Sequence, residues 1–329
     1  MSRQAMRTPV PTATPATGWL ARVAGGLRWL ARGRTAVIGL PYGWLLVFFM
    51  APFLIVLNYS VSEMGAVRPE NIATWGDGVV KLSIRFGNYL AIFADDLYFK
   101  AYVSSLKYAA ITTAVCLVLG YPFAYFMARA RPTLQPALLM LVMLPFWTSF
   151  LLRVYAWKGL LGEGGWVADL LVAAGLDGLM TATGMISAPG KFMNTPFSLV
   201  IGMSYTYLPF MVLPLYANLA KMDLRLLEAA ADLGATRFAA FWLVTVPLSK
   251  AGIIAGSMLV FIPCVGEFVI PELLGGPQTL MIGRVLWDEF FSNNDWPMAS
   301  TVTVVLVLLI VVPLAVFNKY QAETQERGR

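Results

Sequence analysis

Apolar residues in this chain fall in long runs, separated by polar segments of unequal length. Six runs stand out, at about 41–60, 103–128, 136–156, 196–219, 249–271 and 298–318. Each approaches the ~20 residues that carry a helix across ~30 Å of hydrocarbon. In lipid, unpaired backbone groups are too costly for anything but helices or closed barrels. The short apolar–polar alternation of barrel strands is absent, so the pattern predicts an all-α integral membrane protein with six transmembrane helices. The polar segments are long after the first, third and fifth runs, and short or charged after the second and fourth.

Composition agrees. The 329 residues are 58% hydrophobic and 13% charged, with a mean hydropathy of +0.69, whereas soluble domains hold about 25% charged residues. Lysine and arginine placement then sets orientation. The N-terminal segment, the Arg129–Arg131 turn, the 220–250 segment and the C-terminal end carry 15 of the 24 basic residues. That side is predicted to be cytoplasmic, with both termini inside. The opposite segments hold more acids than bases and so attract cations. The domain reading is a basic cytoplasmic N-terminal tail over 1–40, a six-span domain over 41–318, and a cytoplasmic C-terminal tail over 319–329. In the first tail Trp19, Val23, Leu27 and Leu30 recur at helical spacing opposite Arg22, Arg28 and Arg32, which suggests a helix lying on the inner membrane surface. A disordered tail is the competing reading. A signal peptide would place its apolar stretch earlier.

The chemistry available is narrow. There is no histidine, and the two cysteines, Cys116 and Cys264, fall inside apolar runs and read as packing residues. That removes most metal and Cys–His chemistry. "GMISAPGK" at 184–191 approaches a phosphate loop, but its glycines are one residue too far apart and no Ser or Thr follows the lysine. It reads as a turn, and no segment is expected to hydrolyse ATP.

The informative stretch is "EAAADLGATRFAAFWLVTVP", Glu228 to Pro247, which interrupts two apolar runs with charge and a glycine. Leu226–Leu233 predicts one short helix. Gly234 suits the left-handed position that ends it. Thr236–Leu243 predicts a second helix bearing Phe238, Phe241 and Trp242, and Pro247 suits the first turn of the next span. A bent helix pair of this kind fits helix-in-groove docking, with small alanines allowing close approach and Glu228 offering a charge to a partner. Elsewhere, Glu267 is an ionisable residue inside the fifth run. Such residues mark pathways; an ion pair with Arg153 or Arg284 is the competing account. Trp147, Tyr155, Tyr205 and Tyr207 could line a cation path through aromatic faces, or pack. Asp288, Glu289 and Asp295 gather with Trp287 and Trp296 in a predicted outer segment, as a receiving surface or a solvated loop. Gly252 and Gly256 form a GxxxG face for close helix packing, within the chain or against a partner.

Glu228, Ala229, Ala230, Gly234, Val244, Val246 and Pro247 stand at the spacing of the EAA loop, and the whole segment (220–248) resembles that of ABC importer permeases. "LGYPFAYFMAR" (119–129), "LPFWTSFLLRVYAWKGLL" (144–161), "SYTYLPFMVLPLY" (204–216), "PCVGEFVIPELLGGP" (263–277) and "MIGRVLWDEFFSNNDWPMAS" (281–300) look like the polyamine branch of that family. The resemblance implies a type I ABC importer permease (MetI-like) architecture in the bacterial inner membrane. It implies a second permease subunit as heterodimer partner, two ABC ATPase subunits gripping the EAA loop at Glu228, Ala229, Ala230, Gly234 and Phe238, and a periplasmic substrate-binding protein. Contacts with membrane lipid are expected, and with nucleic acid none. ATP and Mg would be bound by the partners, leaving this chain without a cofactor or catalytic role. Polyamines, putrescine foremost, are the implied substrate; their amines, with pKa near ~10.4, are cationic at neutral pH. Alternatives are a spermidine-preferring, ferric iron, sulfate or phosphate permease, or an autonomous channel or secondary transporter. A membrane enzyme lacks a nucleophile–base constellation.

Overall fold

The structure, a computed structural model, describes residues 33–65, 69, 73–76, 79–82 and 84–327. The predicted interfacial helix at Trp19–Leu30 lies outside them. The chain divides into two units, residues 1–58 and 59–329. In the first, α1 (Gly33–Ser60) carries the apolar run Val37–Ser60, of mean hydropathy 2.1.

The second unit opens with a short antiparallel hairpin, β1 (Ala73–Gly76) against β2 (Val79–Leu82), with Trp75 opposite Val80. This hairpin is an addition to the all-α expectation, which the rest of the described residues meet. Trp75, Val79 and Val80 favour strands, and Asp77-Gly78 between them in sequence is a favoured hairpin dipeptide. The rest is helical: α2 (Gly87–Ala94), α3 (Asp96–Arg129), α4 (Gln135–Met143), α5 (Phe150–Leu161), α6 (Trp166–Ala173), α7 (Leu176–Ala182), α8 (Pro196–Leu219), α9 (Arg225–Asp232), α10 (Arg237–Leu248), α11 (Lys250–Val265), α12 (Val269–Leu274), α13 (Ile282–Trp287) and α14 (Trp296–Arg327).

Three helices, within α1, α3 and α8, are long and apolar enough to cross a membrane among the described residues. Two bent pairs raise that to five if each is one span. A further apolar stretch, Trp296–Val311, lies in α14. All six predicted runs are therefore helical, but two are not simple rods. The third turns through 89° between Trp147 and Phe150. Pro145 sits in a 3₁₀ turn, Leu144–Trp147, and Thr148 is extended, with its hydroxyl donating back to Pro145 O at 2.8 Å. The fifth bends by 65° at Ser249 and ends at Val265, short of the predicted 271. The second starts earlier than expected because Asp95 caps Leu97 N at 2.8 Å. At 1.5 Å per residue its 34 residues extend about 50 Å, well beyond the hydrocarbon.

The core is α3, α8 and α11 packed together. Cys116, Met203, Met211, Leu215, Val260 and Cys264 are fully buried there, and both cysteines are free. Lipid tails are as apolar as leucine, so close van der Waals fit must hold the helices together instead of water exclusion. Small residues permit that approach. A Cβ on Gly252 would lie 3.2 Å from Pro214 O, and one on Gly256 3.1 Å from Met211 O. The GxxxG face is thus spent inside the chain, on α8. Gly120 of α3 meets Met211 and Val212 in the same manner.

Candidate coupling site

The helix pair between α8 and α11 follows its local sequence closely. Asp223 accepts from Arg225 N at 3.0 Å, which opens α9. At the other end Gly234 takes φ +86°, Gly234 N donates to Ala231 O, and Ala235 N donates to Ala230 O, both at 2.9 Å. Those two bonds form a Schellman closure, which favours glycine at this position. Thr236 then caps α10, its hydroxyl accepting from Ala239 N at 3.2 Å. The second helix runs past the expected Leu243 to Leu248, through a π-helical turn at Phe241–Thr245. Pro247 lies in the short α-helical turn Val246–Leu248 that ends α10 before the bend, and not in the first turn of α11 as its type suggested.

This pair has little core of its own. No residue of α9 is buried, and Glu228 is exposed without an ion-pair partner among the described residues. Ala229 is exposed and Ala230 half-buried. Leu233, Phe238 and Leu243 are 89%, 74% and 74% exposed. Apolar side chains grouped on a protruding loop, next to an open carboxylate, form a surface suited to a partner's groove.

The fifth run holds the second site. α11 stops at Gly266, and Glu267 follows in the break before α12. Its Oε1 accepts from Val269 N at 3.1 Å and Ile270 N at 3.5 Å, while its Oε2 accepts a short hydrogen bond from the Tyr207 hydroxyl. Neither expected arginine reaches it. Arg284 Nε lies 2.6 Å from Glu272 and 4.0 Å from Asp288. Arg153 rests over the rings of Phe146 and Phe150, 5.9 Å from each centroid. Glu267 is therefore a half-buried carboxylate held by hydrogen-bond donors, with no cation paired to it among the described residues. Of the four candidate aromatics only Tyr207 touches it. Tyr205 points about 200° away around α8, edge-on to Trp157 at 5.6 Å beside a pocket of about 370 Å³. Trp147 and Tyr155 are exposed.

The three acids expected in an outer segment each have a partner within the fold. Glu289 accepts from Tyr98 OH at 2.7 Å and from Asn293 Nδ2 at 2.9 Å. Asp295 caps α14 through Met298 N at 2.9 Å. Asp288 lies beside Arg284. Trp287 stacks on Phe268 at 4.4 Å, next in sequence to Glu267. Sequence reasoning did not single out Tyr98, Phe268 or the Glu272–Arg284 pair. Their partners lie far along the chain, and no local spacing announces them.

Among solved structures, this fold resembles a bacterial ABC transporter involved in the import of the acidic polysaccharide alginate, with a TM-score of 0.59 and 16% identity, covering 93% of this chain and 99% of that one. The same kind of transporter in complex with an alginate pentasaccharide-bound periplasmic protein gives 0.56 at 15% identity, covering 89% of this chain and 93% of that one. The fold is thus shared with chains of bacterial ABC transporter structures. Residues 117–321 match the family described as binding-protein-dependent transport system inner membrane component, and the chain belongs to that family. It is similar to the spermidine/putrescine transport system permease protein PotB of Haemophilus influenzae, 38% identical over 87% of this chain and 92% of the relative. The Escherichia coli protein of the same name is 37% identical, over 84% and 93%. The inner membrane ABC transporter permease protein YdcU of Escherichia coli is 34% identical, over 66% and 70%. The chain is accordingly a multi-pass permease subunit of the bacterial inner membrane, and ATP hydrolysis belongs to other subunits of such systems.

Proposed function

We propose that this chain is one half of the membrane channel of an ATP-driven polyamine importer, carrying putrescine and spermidine inward. The observation that carries the substrate class is 36–38% identity, over more than four-fifths of the chain, to permeases named for spermidine and putrescine. The reading uses six spans, namely α1, α3, α4–α5, α8, α10–α11 and α14, with both termini in the cytoplasm. A second permease subunit completes the channel, two ATPases grip the exposed elbow of each half, and a periplasmic protein delivers substrate.

The physical task is to move a multiply charged cation through hydrocarbon, where one charge costs about 2.5–3.5 kcal/mol even on insertion scales. Glu267 supports the reading as a carboxylate in a broken span, with no arginine paired to it among the described residues. On the cytoplasmic side Glu228, Ala229, Ala230, Gly234 and Phe238 present the surface through which ATPase closure would switch the channel between inward- and outward-facing states. Uptake of radiolabelled putrescine and spermidine by a deletion strain, with sulfate and ferric iron as controls, tests it. Uptake restored by this chain for the polyamines alone is expected. Restoration of sulfate or iron uptake instead would contradict the substrate.

A further inference from the structure

The elbow is joined to α11 at a bend, and a bend is a place where motion can be lost. If α10 swung freely about Ser249, displacement at Phe238 would be absorbed there before reaching the membrane. Two contacts oppose that. Ser249 is 1% exposed, and its Oγ lies 2.8 Å from the hydroxyl of Tyr121, 128 residues earlier on α3. The serine also donates to Val246 O at 3.0 Å, which uses its single hydrogen. Tyr121 is therefore the donor. Two turns of α10 away, Phe241 sets its ring edge-on to Tyr121 at 5.6 Å and to Tyr125 at 6.0 Å. Phe241 also begins the π-helical turn, a helix irregularity frequent at functional sites. One residue before Tyr121, on a neighbouring face of α3, Gly120 is packed against Met211 and Val212 of α8.

We infer that Tyr121 and Ser249 are positioning residues that lock the elbow to α3, so that force on α10 reaches α3 and α8 as well as α11. This rests on the permease reading above. The hydroxyl pair fixes the bend, the Phe241 edge contacts fix the roll of α10, and the Gly120 contact passes displacement inward. Transport is then tied to hydrolysis through a buried neutral hydrogen bond and two aromatic edges.

The test uses the complete importer in proteoliposomes, with partner permease, ATPases and binding protein, measuring polyamine uptake and ATP hydrolysis together. Tyr121→Phe keeps the ring and its Phe241 contacts but removes the donor; Ser249→Ala removes the acceptor. Each is expected to assemble and hydrolyse ATP near the unaltered rate while uptake per ATP falls about fivefold, the low end of inter-site coupling. The double variant should be no worse than either single one, and Ser249→Thr should restore the ratio. An unchanged ratio in both single variants overturns the inference. Uptake and hydrolysis falling in parallel, or loss of assembly, makes the pair merely structural and overturns it too. Uptake by the unaltered importer tests the permease reading separately, since the linkage is read only from the ratio.

Discussion

Glu267 shows what a single residue can and cannot disclose. A carboxylate between Gly266 and Phe268 was legible as exceptional, because charge in an apolar run is expensive. Its partner was not. Tyr207 lies 60 residues away and is one of several tyrosines at similar depth, so only the fold selects it. The arginines that sequence offered were already engaged, Arg284 by Glu272 and Arg153 by two phenylalanine rings. Removing the charge alone should separate the two roles of Glu267. Glu267→Gln keeps an acceptor for Val269 N, so assembly should survive. If the carboxylate contacts the passing cation, the KM for polyamine uptake should rise about tenfold, matching the ~1.5 kcal/mol carried by a hydrogen bond to a charged group. Unchanged uptake kinetics would assign Glu267 to capping α12 only. Gly256 is the simpler case. Gly256→Leu would force a side chain against Met211 Sδ and O, and overpacking of this kind costs about 1–3 kcal/mol. A lowered melting temperature of the detergent-solubilised subunit is the expected result.

At the scale of elements, the elbow was the most legible part of the chain. Its instructions are local: Asp223, Gly234 and Thr236 each act within four residues, and each performs the capping role its type favours. The breaks in the third and fifth runs were less legible. Hydropathy sees only apolar length, and the run through Thr148 stays apolar while the backbone turns by 89°. The hairpin escaped for a similar reason, since two four-residue strands leave little periodicity to read. Gly234→Asp places a side chain at φ +86°, where the closure of α9 resists it, and adds charge to the exposed surface. Glu228→Lys reverses the one open carboxylate of α9's first turn. Both variants should insert at normal levels, judged by membrane fractionation and immunoblotting, and both should abolish uptake. Normal uptake by the two would refute the docking role.

At the scale of the whole molecule, a bundle held by close packing of α3, α8 and α11 is continuous with an exposed apolar elbow. Orientation in the membrane can be tested directly. A tag after Arg329 should resist external protease in intact spheroplasts and become cleavable on lysis; cleavage in intact spheroplasts would contradict an even number of spans. The central claim is mechanical, that the elbow is held by an ATPase, and proximity measures it directly. With Phe238→Cys on α10, the two native cysteines being buried, and a cysteine in the facing groove of the co-expressed ATPase, oxidation of membranes should yield a cross-linked pair of the summed mass. The yield should change when ATP is added. No cross-link in either nucleotide state, from an importer that still transports, would contradict the account.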